Sequence, residues 1–383
     1  MLFERLVPPN VWMKIRPDAV TIWSDEEVKR RLNWYYRVMI NEAPAKFIIA
    51  RHVESPEKPD KLDLESLWNL HRELSRQHRS LWLSALRGNL TLNELVREKE
   101  PSVSYLDVKI EIAYRIIKRC IFCEHRCGID RTRSIGACRL DDKTYVHSWF
   151  HHLGEEAPLV PSGTIFYGGC NFRCVYCQNH DISQELPREG VVVTPRQLAL
   201  MQKELREYGA RNINHVGGEP TPNIHTILHS FKYLDVNVPQ LWNSNMYLTV
   251  EAMSLIADVI DIWLPDFKYG NNKCSRRLSA IPNYFEIVTR NLRIAASNGD
   301  MIIRHLVLPG HLECCTKPIL RWIAENLPKD RILVNIMDQY RPEYMILKYP
   351  KRWPELTRRL YVEEIREAYE YARKLGILFE PVS

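Results

Sequence analysis

Cys170, Cys174 and Cys177 stand in one short loop, Cys170-Asn171-Phe172-Arg173-Cys174-Val175-Tyr176-Cys177, entered through Gly168-Gly169. Three thiolates at C-x3-C-x2-C spacing can wrap one face of a small metal cluster. The number matters: a structural zinc wants four protein ligands, whereas a cubane held by three cysteines leaves one iron open to an outside molecule. The two glycines let the backbone come close without Cβ clashes. A zinc site that borrows a distant fourth ligand is the competing reading. A second set, Cys120-x2-Cys123-x3-Cys127-x10-Cys138, offers four thiolates and completes a metal's coordination from the protein alone. An auxiliary 4Fe–4S cluster and a structural zinc both fit it, and the tight C-x2-C-x3-C run favours the cluster. Electron relay and fold anchoring are both open as its role. The remaining three of the ten cysteines are Cys274 and the adjacent pair Cys314-Cys315. They read as candidate catalytic thiols that donate a hydrogen atom, as an extra ligand set, or as small buried packing residues. His125 and His147 are alternative ligands near the four-cysteine run, while no spacing supports a metal at His151-His152 or His311.

These residues need a frame that gathers loops from distant parts of the chain. From Gly163 onward, β-rich runs at 164–167, 212–216, 238–242, 260–264, 301–308 and 332–336 alternate with helical stretches at 195–208, 223–234, 250–258, 284–297 and 318–326. Such alternation predicts parallel strands joined by right-handed crossovers. Six units are too few for a closed eight-stranded barrel, so the expected fold is α/β, a partial (β/α)6 barrel with ligands at the carboxyl ends of the strands. Ahead of it, residues 1–118 read as a mostly helical module, with helices expected over 26–40 (capped by Asp25), 63–77 and 106–119. The proline-and-charge stretch 55–61 separates the first two. The expected division is 1–118 helical, 119–160 four-cysteine segment, 161–345 partial barrel, and 346–383 a C-terminal helical extension with a helix over 363–375.

The cysteine loop, with an aromatic residue directly before its last cysteine, resembles the radical S-adenosylmethionine superfamily. Its flanks, Gly163-Thr164-Ile165-Phe166 and Gln178-Asn179, resemble the pyruvate formate-lyase activating enzyme-like group most. The likeness covers roughly residues 120–341. It implies a 4Fe–4S cluster on Cys170, Cys174 and Cys177, whose open iron chelates the amino and carboxylate groups of S-adenosylmethionine, with Tyr176 near the adenine. The strand ends carry independent support. Gly217-Gly218-Glu219 resembles the element that binds the methionine ammonium, although many members of the narrower group lack it. Asn243-Ser244-Asn245 suits ribose hydroxyls. Asp266-Phe267-Lys268 and Arg304 resemble contacts to ribose, amino and carboxylate groups, and an Arg fork matches a carboxylate chemically. Asp338-Gln339-Tyr340 should share that rim. The resemblance further implies reductive cleavage of S-adenosylmethionine to a 5′-deoxyadenosyl radical, an electron donor of the ferredoxin or flavodoxin type, and a substrate that includes proteins among its candidates, as in glycyl-radical activation.

Composition bounds the alternatives. The chain carries 53 basic and 47 acidic residues, and a net charge of +6 is too weak to argue for nucleic acid. A 45% hydrophobic fraction and 10 Trp exclude disorder as the main state. No window approaches the run of about 18 apolar residues needed to span a bilayer. The start lacks a signal-peptide layout, so a cytoplasmic protein is expected. A non-enzymatic zinc or iron–sulfur interaction module is the rival class.

Overall fold

The computed structural model describes residues 5–383. Its centre is one eight-stranded sheet: β1 (Thr144–His152), β2 (Ser162–Tyr167), β3 (Val191–Val193), β4 (Asn212–Gly217), β5 (Gln240–Ser244), β6 (Ile262–Pro265), β7 (Asp300–Leu306) and β8 (Ile332–Met337). The order is β3-β1-β2-β4-β5-β6-β7-β8. From β2 to β8 all neighbours run parallel, giving the six βα units of an open partial barrel. The expected α/β architecture is therefore present. The sheet also extends beyond it, because β1 pairs antiparallel with both β2 and β3. These two strands were not anticipated.

Local sequence explains where the crossover helices begin. Thr194 forms a capping box with Gln197, and Pro195 occupies the first turn of the helix Pro195–Glu207. Thr249 caps Val250–Ala257 through the backbone N–H of Ala252. Every residue of β6 is buried, as a strand covered on both faces requires.

The N-terminal part is helical, and Asp25 does cap a helix. That helix runs only Glu26–Arg31, because Leu32 leaves helical geometry before Asn33–Met39 begins. Asp63 caps Leu64–Leu86, longer than expected, and Tyr105–Ile117 follows. These helices close the amino ends of the strands. Trp34 Nε1 and the Lys46 backbone N–H both donate to Asp261 Oδ1, at 2.9 and 3.0 Å, just before β6. Lys109, fully buried, donates to Asp258 Oδ2 at 3.2 Å and to the carbonyls of Ser254 and Leu255. Tyr105 adds a 2.6 Å hydrogen bond to the same carboxylate oxygen. The opposite, carboxyl end of the barrel is left for loops.

Candidate functional site

At that end, β2 and β4 finish side by side, Tyr167 beside Gly217. Gly169 has φ +75° and Gly217 φ +114°, both in the region that favours glycine. A Cβ on Gly218 would lie 2.0 Å from the Gly169 carbonyl oxygen, and one on Gly217 would lie 2.2 Å from Tyr167 N. The turn after β4 therefore rests with bare backbone on the start of the cysteine loop. On the other side, Arg173 N and Val175 N donate to the carbonyls of Ser279 and Leu278, at 3.0 and 2.9 Å. These belong to a helix, Asn272–Ser279, that the sequence reading passed over.

Cys170 and Cys174 are buried and Cys177 half-buried. Each sulfur has a polar neighbour: Phe172 N at 3.3 Å from Cys170, Ser279 Oγ at 3.0 Å from Cys174, and Ser183 Oγ at 3.3 Å from Cys177. Burial pushes all three thiols up, Cys174 to about 11. A buried trio of soft donors that resists ionising alone fits a positively charged metal core, which takes thiolates. Tyr176 is buried, its hydroxyl 2.7 Å from Tyr269 Oη, which is 2.5 Å from Ser279 Oγ. A hydroxyl chain thus runs from the aromatic residue of the loop to the sulfur of Cys174.

Glu219, 2% exposed, is gripped by its own turn and by the end of β5. Oε1 accepts from Thr221 Oγ1 at 2.5 Å, Thr221 N at 3.3 Å and Ser244 Oγ at 2.6 Å, and Oε2 accepts from Asn245 N at 3.0 Å. Burial raises its pKa despite these donors. A carboxylate oxygen offers about two acceptor positions, and Oε2 accepts one hydrogen bond here, so it keeps the other for a ligand. Asn245 Nδ2 donates to Asn171 Oδ1 at 2.7 Å and lies 3.9 Å from Cys170 Sγ, which ties β5 to the cysteine loop. Asn243 is buried at the same strand end. Lys268 and Asp266 form a partly exposed pair at 2.7 Å. Burial works against the Lys268 charge, yet Asp266 and the loop sulfurs hold its pKa above the usual lysine range.

Arg304 corrects the sequence reading. Its Nε and Nη2 bind both oxygens of Glu156 at 2.6 and 2.7 Å, and Nη2 also contacts Glu155. Asn335 and Asn214 donate to the same carboxylates, at 2.7 and 2.9 Å. The fork expected to hold a cofactor carboxylate is already filled by two glutamates from the loop between β1 and β2. Asp338 and Gln339 do not join the cysteine loop either: they line a cleft of about 260 Å³ beside Glu155, Glu156 and Arg16. Tyr340 does come near, its ring edge-on to Tyr176 with centroids 6.1 Å apart.

The four-cysteine segment lies against the loop. His125 Nε2 is 2.7 Å from the Asn171 carbonyl, Arg173 Nη2 donates to Ala137 O at 2.5 Å, and a Cβ on Gly169 would lie 2.8 Å from Cys138 O. Arg131, fully buried, places Nη1 4.0 Å from Cys120 Sγ. Cys274, Cys314 and Cys315 converge on one another and on His311, a residue the sequence reading had set aside. The sequence signal was present as His311-x2-Cys314.

The sequence profile of the Radical SAM superfamily matches residues 164–323. An uncharacterized protein of Methanocaldococcus jannaschii, MJ0674, is 45% identical over 352 residues, 91% of this chain and 98% of its own length. The chain belongs to the radical SAM superfamily. Membership implies an enzyme that uses a 4Fe–4S cluster and S-adenosylmethionine, and the non-enzymatic zinc reading is not favoured. A second protein of that organism, MJ0808, is 26% identical over 220 residues, 54% of this chain and 62% of its own. Among solved structures, Streptococcus suis SuiB bound to S-adenosylmethionine is similar with a TM-score of 0.38 and 12% identity, over 55% of this chain and 47% of SuiB. TYW1 with a lysine-pyruvate adduct bound gives a TM-score of 0.36 and 14% identity, over 55% of this chain and 73% of TYW1. Among the described residues no helix is long and apolar enough to cross a membrane.

Proposed function

We propose that this radical SAM protein holds its cluster on Cys170, Cys174 and Cys177 and binds S-adenosylmethionine over the bare backbone of Gly217-Gly218. The observation that supports this is the convergence of three buried or half-buried thiols with that glycine turn at the carboxyl ends of parallel strands. When bound, the cluster supplies the electron that cleaves the sulfonium carbon–sulfur bond, giving methionine and a 5′-deoxyadenosyl radical that takes a hydrogen from substrate. The chain's own residues position and shield. Glu219 keeps an acceptor for the methionine ammonium, Asn243 and Asn245 suit ribose hydroxyls, and the Asp266–Lys268 pair offers both charges at the rim. Tyr176 and Tyr340 wall the site against water. Arg304 is left out of this set.

Residues 119–160, in this reading, carry an auxiliary 4Fe–4S cluster on Cys120, Cys123, Cys127 and Cys138. A tetrahedral zinc with sulfur bonds of about 2.3 Å needs sulfurs about 3.8 Å apart. Neither these four thiols nor the three of the loop form so tight a group. Residues 161–345 form the catalytic barrel, with 1–118 and 346–383 as scaffold. All ten cysteines are free, as suits a reducing cytoplasm. A ferredoxin or flavodoxin is the electron donor. The narrower activating-enzyme reading, with a protein as substrate, rests on the flanks Gly163 to Phe166 and Gln178-Asn179 alone.

Anaerobic turnover with dithionite tests the core claim, read as 5′-deoxyadenosine and methionine by liquid chromatography. Deuterium transfer into 5′-deoxyadenosine from labelled candidates identifies the substrate. Reconstituted protein should contain about eight irons, and the quadruple Ala variant at the upstream cysteines about four. Four irons in both proteins would remove the auxiliary cluster and leave the active-site reading standing.

A further inference from the structure

The sulfurs of Cys274, Cys314 and Cys315 and the Nδ1 of His311 all lie within 4.8 Å of one another, the one group this tight among the described residues. Cys274 Sγ is 3.8 Å from Cys314 Sγ, and Cys314 Sγ is 3.9 Å from Cys315 Sγ. From His311 Nδ1 the three sulfurs are at 3.6, 3.3 and 3.9 Å. A tetrahedral zinc with bonds of about 2.3 Å to sulfur and about 2.05 Å to nitrogen has sulfur–sulfur edges near 3.8 Å and sulfur–nitrogen edges near 3.6 Å. The three sulfur–nitrogen edges and two of the sulfur–sulfur edges fall within about 0.3 Å of that tetrahedron, and the remaining edge, Cys274 Sγ to Cys315 Sγ, is within 4.8 Å. It is too wide for a disulfide, whose sulfurs stand about 2.05 Å apart.

The surroundings are built for such a site. A tight π-helical turn, Leu312–Thr316, turns His311, Cys314 and Cys315 to one side, with Cys315 N and Thr316 N both donating to His311 O. Asn271 caps the helix that carries Cys274 and donates to Cys314 O at 2.7 Å. Gly270 allows the approach, since a Cβ there would lie 2.8 Å from Cys315 O. Nε2 of His311, pointing away from the sulfurs, faces Glu355 Oε1 at 3.6 Å, and Arg277 holds that carboxylate at 2.5 Å. A carboxylate behind a histidine is the usual outer partner of a metal-bound imidazole, which it orients with Nδ1 free to ligate.

We propose that Cys274, His311, Cys314 and Cys315 form a closed structural Cys3His zinc site that staples the loop after β7 to the helix after β6. Three thiol protons leave to solvent as the ion binds, and the imidazole ligates neutral, giving a site of net charge −1. Full coordination leaves no S–H on these cysteines, so the hydrogen-donor role expected from the sequence is replaced by an architectural one. The staple acts on the active site through Leu278 and Ser279, at the end of the stapled helix, which hold the backbone of the cysteine loop and the sulfur of Cys174.

The test is zinc K-edge absorption, which iron does not obscure, on the full chain purified anaerobically without chelator, with zinc and iron counted in the same sample. The expected result is about one zinc per chain with three sulfurs near 2.3 Å and one nitrogen near 2.0 Å. The Cys274→Ser/Cys314→Ser double variant should lose that zinc and keep the wild-type iron count, and His311→Cys should keep it with four sulfurs. No zinc in the wild type, a four-sulfur shell there, or undiminished zinc in the double variant would each overturn the proposal. The wild-type spectrum decides even if a variant fails to fold, and the iron count keeps the result separate from the radical-enzyme reading.

Discussion

Alanine at any one of Cys170, Cys174 or Cys177 should abolish reductive cleavage of S-adenosylmethionine, with 5′-deoxyadenosine falling to background in anaerobic dithionite assays. Three protein ligands leave no spare, and the polar side chains beside the sulfurs are Ser279, Ser183, Asn171 and Asn245, far poorer iron ligands than a thiolate. Reconstituted iron should drop by about four per chain, one cubane, while the upstream cluster stays loaded. Cys177→Ala is the most informative of the three. Its side chain is the least buried, so its loss disturbs packing least and isolates ligation from folding. A variant that kept near-wild-type cleavage would sink the assignment of the cluster to this loop.

Arg304→Met should cost about 3–5 kcal/mol of stability at pH 7, because it leaves two buried carboxylates facing each other without their cation. Glu155 and Glu156 are 6% and 4% exposed, and Asn214, Asn335 and His152 are their other polar partners. Burial raises the Glu155 pKa, but Arg304 and His152 outweigh it and bring it to about 2, below its ordinary 4.5. A carboxyl depressed in the fold contributes stability in full above 4.5 and loses it as pH falls toward 2. Without Arg304 the sign reverses: desolvation then favours the protonated acids, so the deficit should shrink on acidification from pH 7 to 5. Chemical denaturation midpoints at the two pH values check both the size and the trend. A variant as stable as the wild type at pH 7 would show that the cluster is solvated rather than buried.

The same arginine shows where sequence stops being readable. Its position on a strand and its chemistry were plain, but its partners sit 148 and 149 residues away, on a loop without a motif. Pairing of that kind leaves no local trace. The six parallel strands were legible because each is a short apolar run between helical stretches. By contrast, β1 carries Trp149 and three histidines in a segment dominated by metal ligands, and β3 is only three residues long. The helix Asn272–Ser279 was hidden for a different reason: NKCSRRLS has a well-segregated buried face, but that face is Cys274, Ser275, Leu278 and Ser279, with Leu278 its one aliphatic residue, so it does not read as an apolar stripe. That omission concealed Ser279 beside Cys174 and separated Cys274 from His311. Gly217-Gly218-Glu219 was legible as a motif, whereas the backbone contact with Gly169 that explains its glycines required the fold.

The docking of the helical module also sets a timetable for synthesis. Lys46 is made 215 residues before the Asp261 that anchors it, and Lys109 149 residues before Asp258. At about 5–20 residues per second, a ribosome needs roughly 10–40 s to bridge the longer gap. Through that interval Trp34, Phe47 and Trp82, all buried in the finished protein, have no barrel to cover them. The helical module emerges ahead of the barrel and is therefore secured late. The apolar faces that the barrel will cover stay exposed until β6 has left the exit tunnel.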